Sequence, residues 1–478
     1  MTKLVKKVDY AKMNAQFPFD NTYANLPSHF FYKQKPAPVT KAELIAFNSN
    51  LAEELEIKLP NSGLELIFSG QILPEGADPL AQAYAGHQFG YYNPKLGDGR
   101  ALLLGELDTK SGRYDIQLKG SGTTPYSRNG DGLSWLGPVL REYIVSEAMH
   151  HLGISTTRSL AAVGTGDKVL RETVLPGAIL TRVAKSHIRV GTFQYFAHNG
   201  DIEALETLYK YTKKRHYDDA KSITDFLSRV INAQCDLVTN WLSIGFIHGV
   251  MNTDNCSIAG ETIDYGPCAF LDKYSASKVF SSIDTHGRYA YSAQADVIVW
   301  NMAQLANALL PIVKNNIEVL NEFNELIQKM PSQIRSLWLK KFGKKIGITK
   351  STSEDLKLIS GFLNGLASRN EDFTISFRKL IEEPEYFKSV DADWYNAWET
   401  RTSDEPDPFS VMASVNPNLI PRNHQIEFAI SSALNSNFEP FQRLNVALKL
   451  PYEKNSKFSD LELSPTDKEE VVKTFCGT

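Results

Sequence analysis

His248-Gly249-Val250-Met251-Asn252-Thr253-Asp254-Asn255, followed nine residues later by Asp264-Tyr265-Gly266, is the stretch on which the reading of this chain turns. Its residue types suit chemistry on nucleotide phosphates. Asp254 can take a proton or position a nucleophile. Asn255 and Asp264 supply hard oxygens of the kind that hold a divalent cation against phosphate groups.

A histidine, an Asp-Asn pair and an Asp-aromatic-Gly triplet follow one another in the order of a protein kinase's catalytic loop and metal-binding triplet. The spelling differs. A kinase sets its base Asp directly after His-Arg and its metal-binding Asn five residues on, whereas Val250 fills the Asp slot here. The pattern is that of a kinase relative with rearranged chemistry.

Working outward, residues 95–190 read as short strands with one helix inserted. Ala101–Leu107 is a compact apolar run; after a turn at Asp108–Gly112, Tyr114, Ile116 and Leu118 alternate with Asp115, Gln117 and Lys119. That period of two predicts a half-buried strand with Lys119 ending its polar face. A Gly/Thr/Pro loop, 120–132, leads to a helix expected from Pro138 to Gly153. Strands are expected at Leu160–Val163, at Val169–Leu175 beyond a Gly164–Asp167 turn, and at Ala178–Val183. Beyond 200 the pattern is helical, most strongly over Ile223–Leu242 and Ala293–Val313. The sum is an α+β chain with a bilobal protein-kinase-like fold: a small strand-rich N-lobe, a larger helical C-lobe, and extra segments at both ends. The corresponding division is 1–60 as an N-terminal extension, 61–185 as the nucleotide-binding lobe, 186–400 as the helical lobe with catalytic loop and metal site, and 401–478 as a helical segment with a Cys-bearing tail.

The chain has 478 residues, 42% hydrophobic and 22% charged, with a net charge of −4, so bulk charge gives no reason to expect nucleic acid. No apolar run of membrane-spanning length and no secretory leader is evident, so a cytoplasmic protein is expected. Four cysteines, none in Cys-x-x-Cys spacing, point to neither a disulfide scaffold nor zinc.

Lys119 and Glu142, one ending a strand and the other on the next helix, have the spacing of the ion pair that holds a kinase lysine on phosphates; two solvated surface charges are the plainer alternative. Arg182 and Arg189 suit bidentate phosphate contact, and ordinary salt bridges account for them equally well. Gly97-Asp98-Gly99-Arg100 and Asp131-Gly132 are either phosphate-cradling loops or turns. His248 reads as a brace for the loop rather than a proton carrier.

The segments YAGHQFG (84–90), LGDGRALLLGE (96–106), LKGSGTTPYSRNGDG (118–132), SHIRVGTFQ (186–194), HGVMNTDN (248–255), TIDYGPC (262–268) and GRYAYSAQ (287–294) together resemble the selenoprotein O family, kinase-like proteins that transfer AMP. The resemblance covers roughly residues 20–300. It implies ATP bound in inverted orientation, contacted by Gly97, Gly99, Arg100, Lys119, Asp131, Gly132, Arg182, Arg189 and Asp264. It implies Asp254 as the base, Asn255 and Asp264 as ligands of Mg2+ or Mn2+, and AMP transfer to Ser, Thr or Tyr hydroxyls of protein substrates. It also implies a redox disulfide between Cys268 and Cys476. Two positions depart from the family: Leu133-Ser134 stands where Arg-Ala is usual, and Ala293-Gln294-Ala295 where Asn-Gln-Pro is usual. The alternatives left open are a γ-phosphoryl kinase, a UMP transferase using UTP and manganese, and a nucleotide-binding scaffold without activity.

Overall fold

The computed structural model describes residues 15–314 and 316–475. Eleven strands are found among them: β1 (Phe31–Lys33), β2 (Glu43–Phe47), β3 (Leu80–Gln82), β4 (Gly86–Gln88), β5 (Tyr91–Asn93), β6 (Ala101–Thr109), β7 (Gly112–Lys119), β8 (Arg158–Leu170), β9 (Val174–Ala184), β10 (Phe246–Ile247) and β11 (Ala269–Phe270). Seven form one sheet in the order β1-β3-β6-β7-β9-β8-β2; β4 pairs with β5 and β10 with β11. Every pairing is antiparallel. Most of the chain after Val190 is helical, so the fold is α+β.

Two compact units divide the chain. Among the described residues, the first takes 15–83, Leu96–Val139 and Arg158–His187; the second takes Tyr84–Lys95, Leu140–Thr157 and those from Ile188 onward.

In the first unit the alternation along β7 sorts its side chains as expected. Ile116 and Leu118 enter an apolar cluster with Leu104, Leu107, Leu160, Val163, Ile179 and Val183. The polar face, however, is buried too, with Asp115 and Gln117 at 2% and 0% exposure. It tolerates burial because its groups are hydrogen-bonded by partners on β9 and just beyond it. Asp115 Oδ2 accepts from the His187 backbone N–H at 2.8 Å and lies 2.9 Å from His187 Nδ1, and Gln117 Oε1 accepts from Arg182 Nη1 at 3.4 Å.

The strands expected at Leu160–Val163 and Val169–Leu175 are a single strand, β8, which ends at Leu170. The Gly164–Asp167 segment does not turn the chain; the β8–β9 ladder takes it up as a shift of register between Gly164 and Lys168. The reversal falls at Arg171–Thr173, so Val174 and Leu175 belong to β9.

In the second unit the helix Ile223–Ser243 begins as its sequence indicates. Ser222 caps it by accepting from the Asp225 N–H at 3.1 Å, and Phe226, Val230, Leu237 and Trp241 line its buried side. The segment Gln294–Val313 corrects the expectation that nothing is long and apolar enough to cross a membrane, because it passes that test by length and composition. It is a helix to Leu309 and a 3-10 turn beyond, with buried polar groups: Gln294 Nε2 donates to the Phe246 carbonyl and Asn301 Nδ2 to the Met251 carbonyl. Farther along, Phe342, Phe362, Phe373, Phe377, Trp394 and Trp398 build an aromatic core. Arg422, 1% exposed, bridges Asp272 and Asp372 at 2.7 and 2.8 Å, so its buried charge is matched twice.

Candidate functional site

The β10–β11 ladder, Phe246 opposite Phe270 and Ile247 opposite Ala269, closes the base of the loop 248–268. His248 ties that loop together. Its Nε2 lies 2.8 Å from the Ile263 carbonyl, its Nδ1 accepts from the Val250 N–H at 3.4 Å, and Gln294 Oε1 accepts its backbone N–H. Complete burial lowers its pKa, so the ring is neutral and braces the backbone.

Asp254 sits in a 3-10 turn, Thr253–Asn255, with 8% of its surface exposed. Its Oδ2 accepts from Gln88 Nε2 at 3.2 Å, while Oδ1 is buried with no hydrogen-bond partner among the described residues. Burial pushes its pKa up to about 6; its own backbone N–H, the Arg189 charge and the Gln88 hydrogen bond pull the other way. A residue that reads as an ordinary carboxylate in sequence is thus a partly desolvated one. Asn255 Nδ2 donates to the Val250 carbonyl at 3.0 Å, which leaves the amide oxygen as the end available to a cation. Asp264 adopts φ +65°, a left-handed backbone that non-glycine residues seldom hold without a reason. Its Oδ2 lies 3.9 Å from Arg189 Nη2, and the Arg189 guanidinium stacks 4.3 Å over the Tyr84 ring. Asp254, Asn255, Asp264 and Arg189 therefore share the second unit. So does Glu142, 3% exposed on the helix Leu136–His151.

Gln88 was not among the residues singled out from sequence. It belongs to the YAGHQFG segment, but a lone glutamine has no titratable signature, and its partner is 166 residues away. Only the hairpin β4–β5 brings it to Asp254.

The remaining candidates lie in the first unit. Lys119 ends β7, opposite Ala101 and Leu180. Arg182, 2% exposed, faces Gln117 on β9. Gly97 and Gly99 pack beneath Tyr126: a Cβ at Gly97 would stand 2.3 Å from its ring, and one at Gly99 2.8 Å from its carbonyl oxygen. The Arg100 carbonyl accepts the Gly120 N–H at 2.7 Å, joining this segment to the glycine loop. Gly132, at φ +68°, closes that loop by accepting the Gly122 N–H at 3.1 Å; a Cβ there would lie 2.3 Å from the Gly122 backbone. Asp131 is engaged by the guanidinium of Arg171, which holds its carboxyl below the usual range.

Among the described residues no three His, Cys, Asp or Glu side chains form a metal cluster. The amide of Asn255 and the carboxylate of Asp264 are the right donors for Mg2+ or Mn2+ but too few to enclose one. They fit an ion that draws the rest of its shell from phosphate oxygens and water. Cys268 is buried, donates from Sγ to the Tyr265 carbonyl at 3.5 Å, and has its pKa raised by burial to about 12. Cys476 lies outside the described residues.

A sequence profile of the family described as protein adenylyltransferase SelO matches residues 13–449. The chain is similar to the protein nucleotidyltransferase YdiU of Ruegeria sp. (strain TM1040), with 54% identity over 98% of this chain and 100% of the relative. The corresponding protein of Roseobacter denitrificans is 53% identical over 98% and 100%, and that of Nitrosococcus oceani 48% over 96% and 97%.

Proposed function

Since the chain belongs to the protein adenylyltransferase SelO family and is a nucleotidyltransferase, we propose that it transfers AMP from ATP to Ser, Thr or Tyr hydroxyls of proteins, on a bilobal kinase-like fold. The observation that carries this reading is the placement of Asp254. The position directly after His-x is Val250, an apolar side chain 7% exposed, and the acidic group falls four residues later beside Asn255. A γ-phosphoryl kinase keeps its base in the slot Val250 occupies.

In the proposed reaction the acceptor oxygen bonds to the α-phosphorus as the bond from that phosphorus to the bridging oxygen breaks. Pyrophosphate leaves with the electron pair, and the acceptor proton passes to Asp254 or to solvent. Asp254 orients the hydroxyl. Lys119, Arg182 and Arg189 balance the charge of the phosphates. Gly97, Gly99, Arg100, Asp131 and Gly132 shape the nucleotide's seat. A divalent cation on Asn255 and Asp264 would supply charge to the phosphate oxygens. ATP labelled at either the α or the γ position tests the scheme. Protein labelled only from the α position is expected; label only from γ restores the kinase, and ATP binding without transfer leaves a scaffold.

Regulation by a Cys268–Cys476 disulfide belongs to the same proposal. What supports it is the described end of the tail: Thr474 Oγ1 donates to the Pro267 carbonyl at 2.5 Å, next to Cys268. Peptide mapping after mild oxidation should find the crosslink, and finding both thiols free would remove it.

A further inference from the structure

The hairpin β4–β5 matches the turn that carries Asp254 residue by residue. Phe89 donates its backbone N–H to Asn252 Oδ1 at 3.2 Å, and His87 donates its own to Thr253 Oγ1 at 2.7 Å. Between them, Gln88 Nε2 reaches Asp254 Oδ2 at 3.2 Å. The approach is tight: a Cβ on Gly86 would stand 2.7 Å from Asp254 Oδ1.

Other bonds hold the hairpin in that register. Thr253 Oγ1 donates to Gln194 Oε1 at 2.6 Å, and Gln194 Nε2 lies 2.9 Å from His87 Nδ1, so the circuit returns to the hairpin. Donation through Thr253 fixes the Gln194 amide with its NH2 toward His87, which makes Nδ1 the acceptor. The Ala85 N–H bonds to the Gly191 carbonyl at 3.0 Å, and the Tyr289 hydroxyl donates to Asn252 Oδ1 at 2.6 Å. The apparatus fixes three consecutive residues, yet one side chain in it grips the carboxylate.

We propose that Gln88 is a positioning residue that sets the rotation of the Asp254 carboxylate, with the hairpin as its carrier. This rests on the reading of Asp254 as the group that orients the acceptor hydroxyl. The terminal torsion of an aspartate is soft, and a carboxylate free on both oxygens samples a wide arc. Bonding one oxygen to an amide anchored on the hairpin fixes the bearing of the other. A neutral amide does this without competing for the carboxylate's charge as a lysine or arginine would.

Steady-state transfer from α-labelled ATP tests the assignment with Gln88→Ala and the volume-preserving Gln88→Met. In each, kcat should fall about 10-fold or more while the KM for ATP stays within about twofold, since geometry is lost and nucleotide binding is kept. Gln88→Met carries the measurement if the smaller variant fails to fold. On an Asp254→Asn background, Gln88→Met should cause no further fall, because it acts through the group already removed. Wild-type kcat in both Gln88 variants overturns the proposal, as does a full independent fall on the Asp254→Asn background. Wild-type kcat in Asp254→Asn alone, with Gln88 intact, overturns instead the reading of Asp254.

Discussion

Arg171 grips Asp131 with both terminal nitrogens, Nη1 on Oδ2 at 2.8 Å and Nη2 on Oδ1 at 3.1 Å, and Nη2 also reaches the Leu133 carbonyl at 3.0 Å. The contact clips the tip of the β8–β9 hairpin to the end of the glycine loop. Because both side chains are partly exposed, the pair adds about 1 kcal/mol or less to stability. Its contribution is present above the ordinary carboxylate pKa and fades on acidification, since Asp131 titrates lower when folded. Arg171→Ala should raise the KM for ATP by roughly 3- to 10-fold with little change in melting temperature. An unchanged KM in an ATP titration would show that the loop keeps its shape without the clip.

Asp264→Ala should lower transfer by about 100-fold or more while the protein stays folded, because the cation proposed to neutralise the phosphates would lose its carboxylate donor. The left-handed backbone at this position adds a control. Asp264→Asn removes the charge with a residue that tolerates that conformation, so its melting temperature should stay nearer to wild type than that of the alanine variant. Wild-type transfer in both variants would take Asp264 out of the site.

Lys119→Ala should reduce kcat/KM for ATP by about 10-fold or more, whereas a mere strand-end lysine would leave turnover alone and change stability by less than about 0.5 kcal/mol. Paired determinations of transfer rate and urea midpoint separate the two effects. If only the midpoint moves, Lys119 is a strand-end residue and nothing more.

Lys345 is buried at 2% exposure on Asn416 Oδ1 at 2.7 Å, with its ammonium 4.0 Å from the Phe377 ring centroid and 5.3 Å from that of Phe373. Burial lowers its pKa to about 7 against 10.5 for an exposed lysine. Between those values the unfolded chain binds more protons than the folded one, so raising the pH favours folding, by up to about 1.4 kcal/mol per unit. Denaturant titrations at pH 7 and pH 9 should show wild type gaining stability relative to Lys345→Met. Equal gains in the two proteins would mean that Lys345 is not the titrating group.

Local pattern and residue order settled a good deal of this protein. Alternation along 114–119 marked β7, and the helical pattern over Ile223–Leu242 marked the helix found there. The run from His248 to Gly266 identified the loop that the β10–β11 ladder closes, and such features are legible because they depend on neighbours in sequence. Tertiary structure decided the rest. Nothing local says that β8 runs through a Gly-Thr-Gly-Asp segment; a paired β9 does. Nothing local says that the polar face of β7 is buried, because its acceptability depends on His187 and Arg182 arriving from elsewhere. Asp254 is an ordinary aspartate in sequence, and it becomes a desolvated one only when Gly86 and Gln88 close over it. Gln88 and Arg171 escaped notice for the same reason: their roles come from partners 166 and 40 residues distant, which only the folded chain brings within reach.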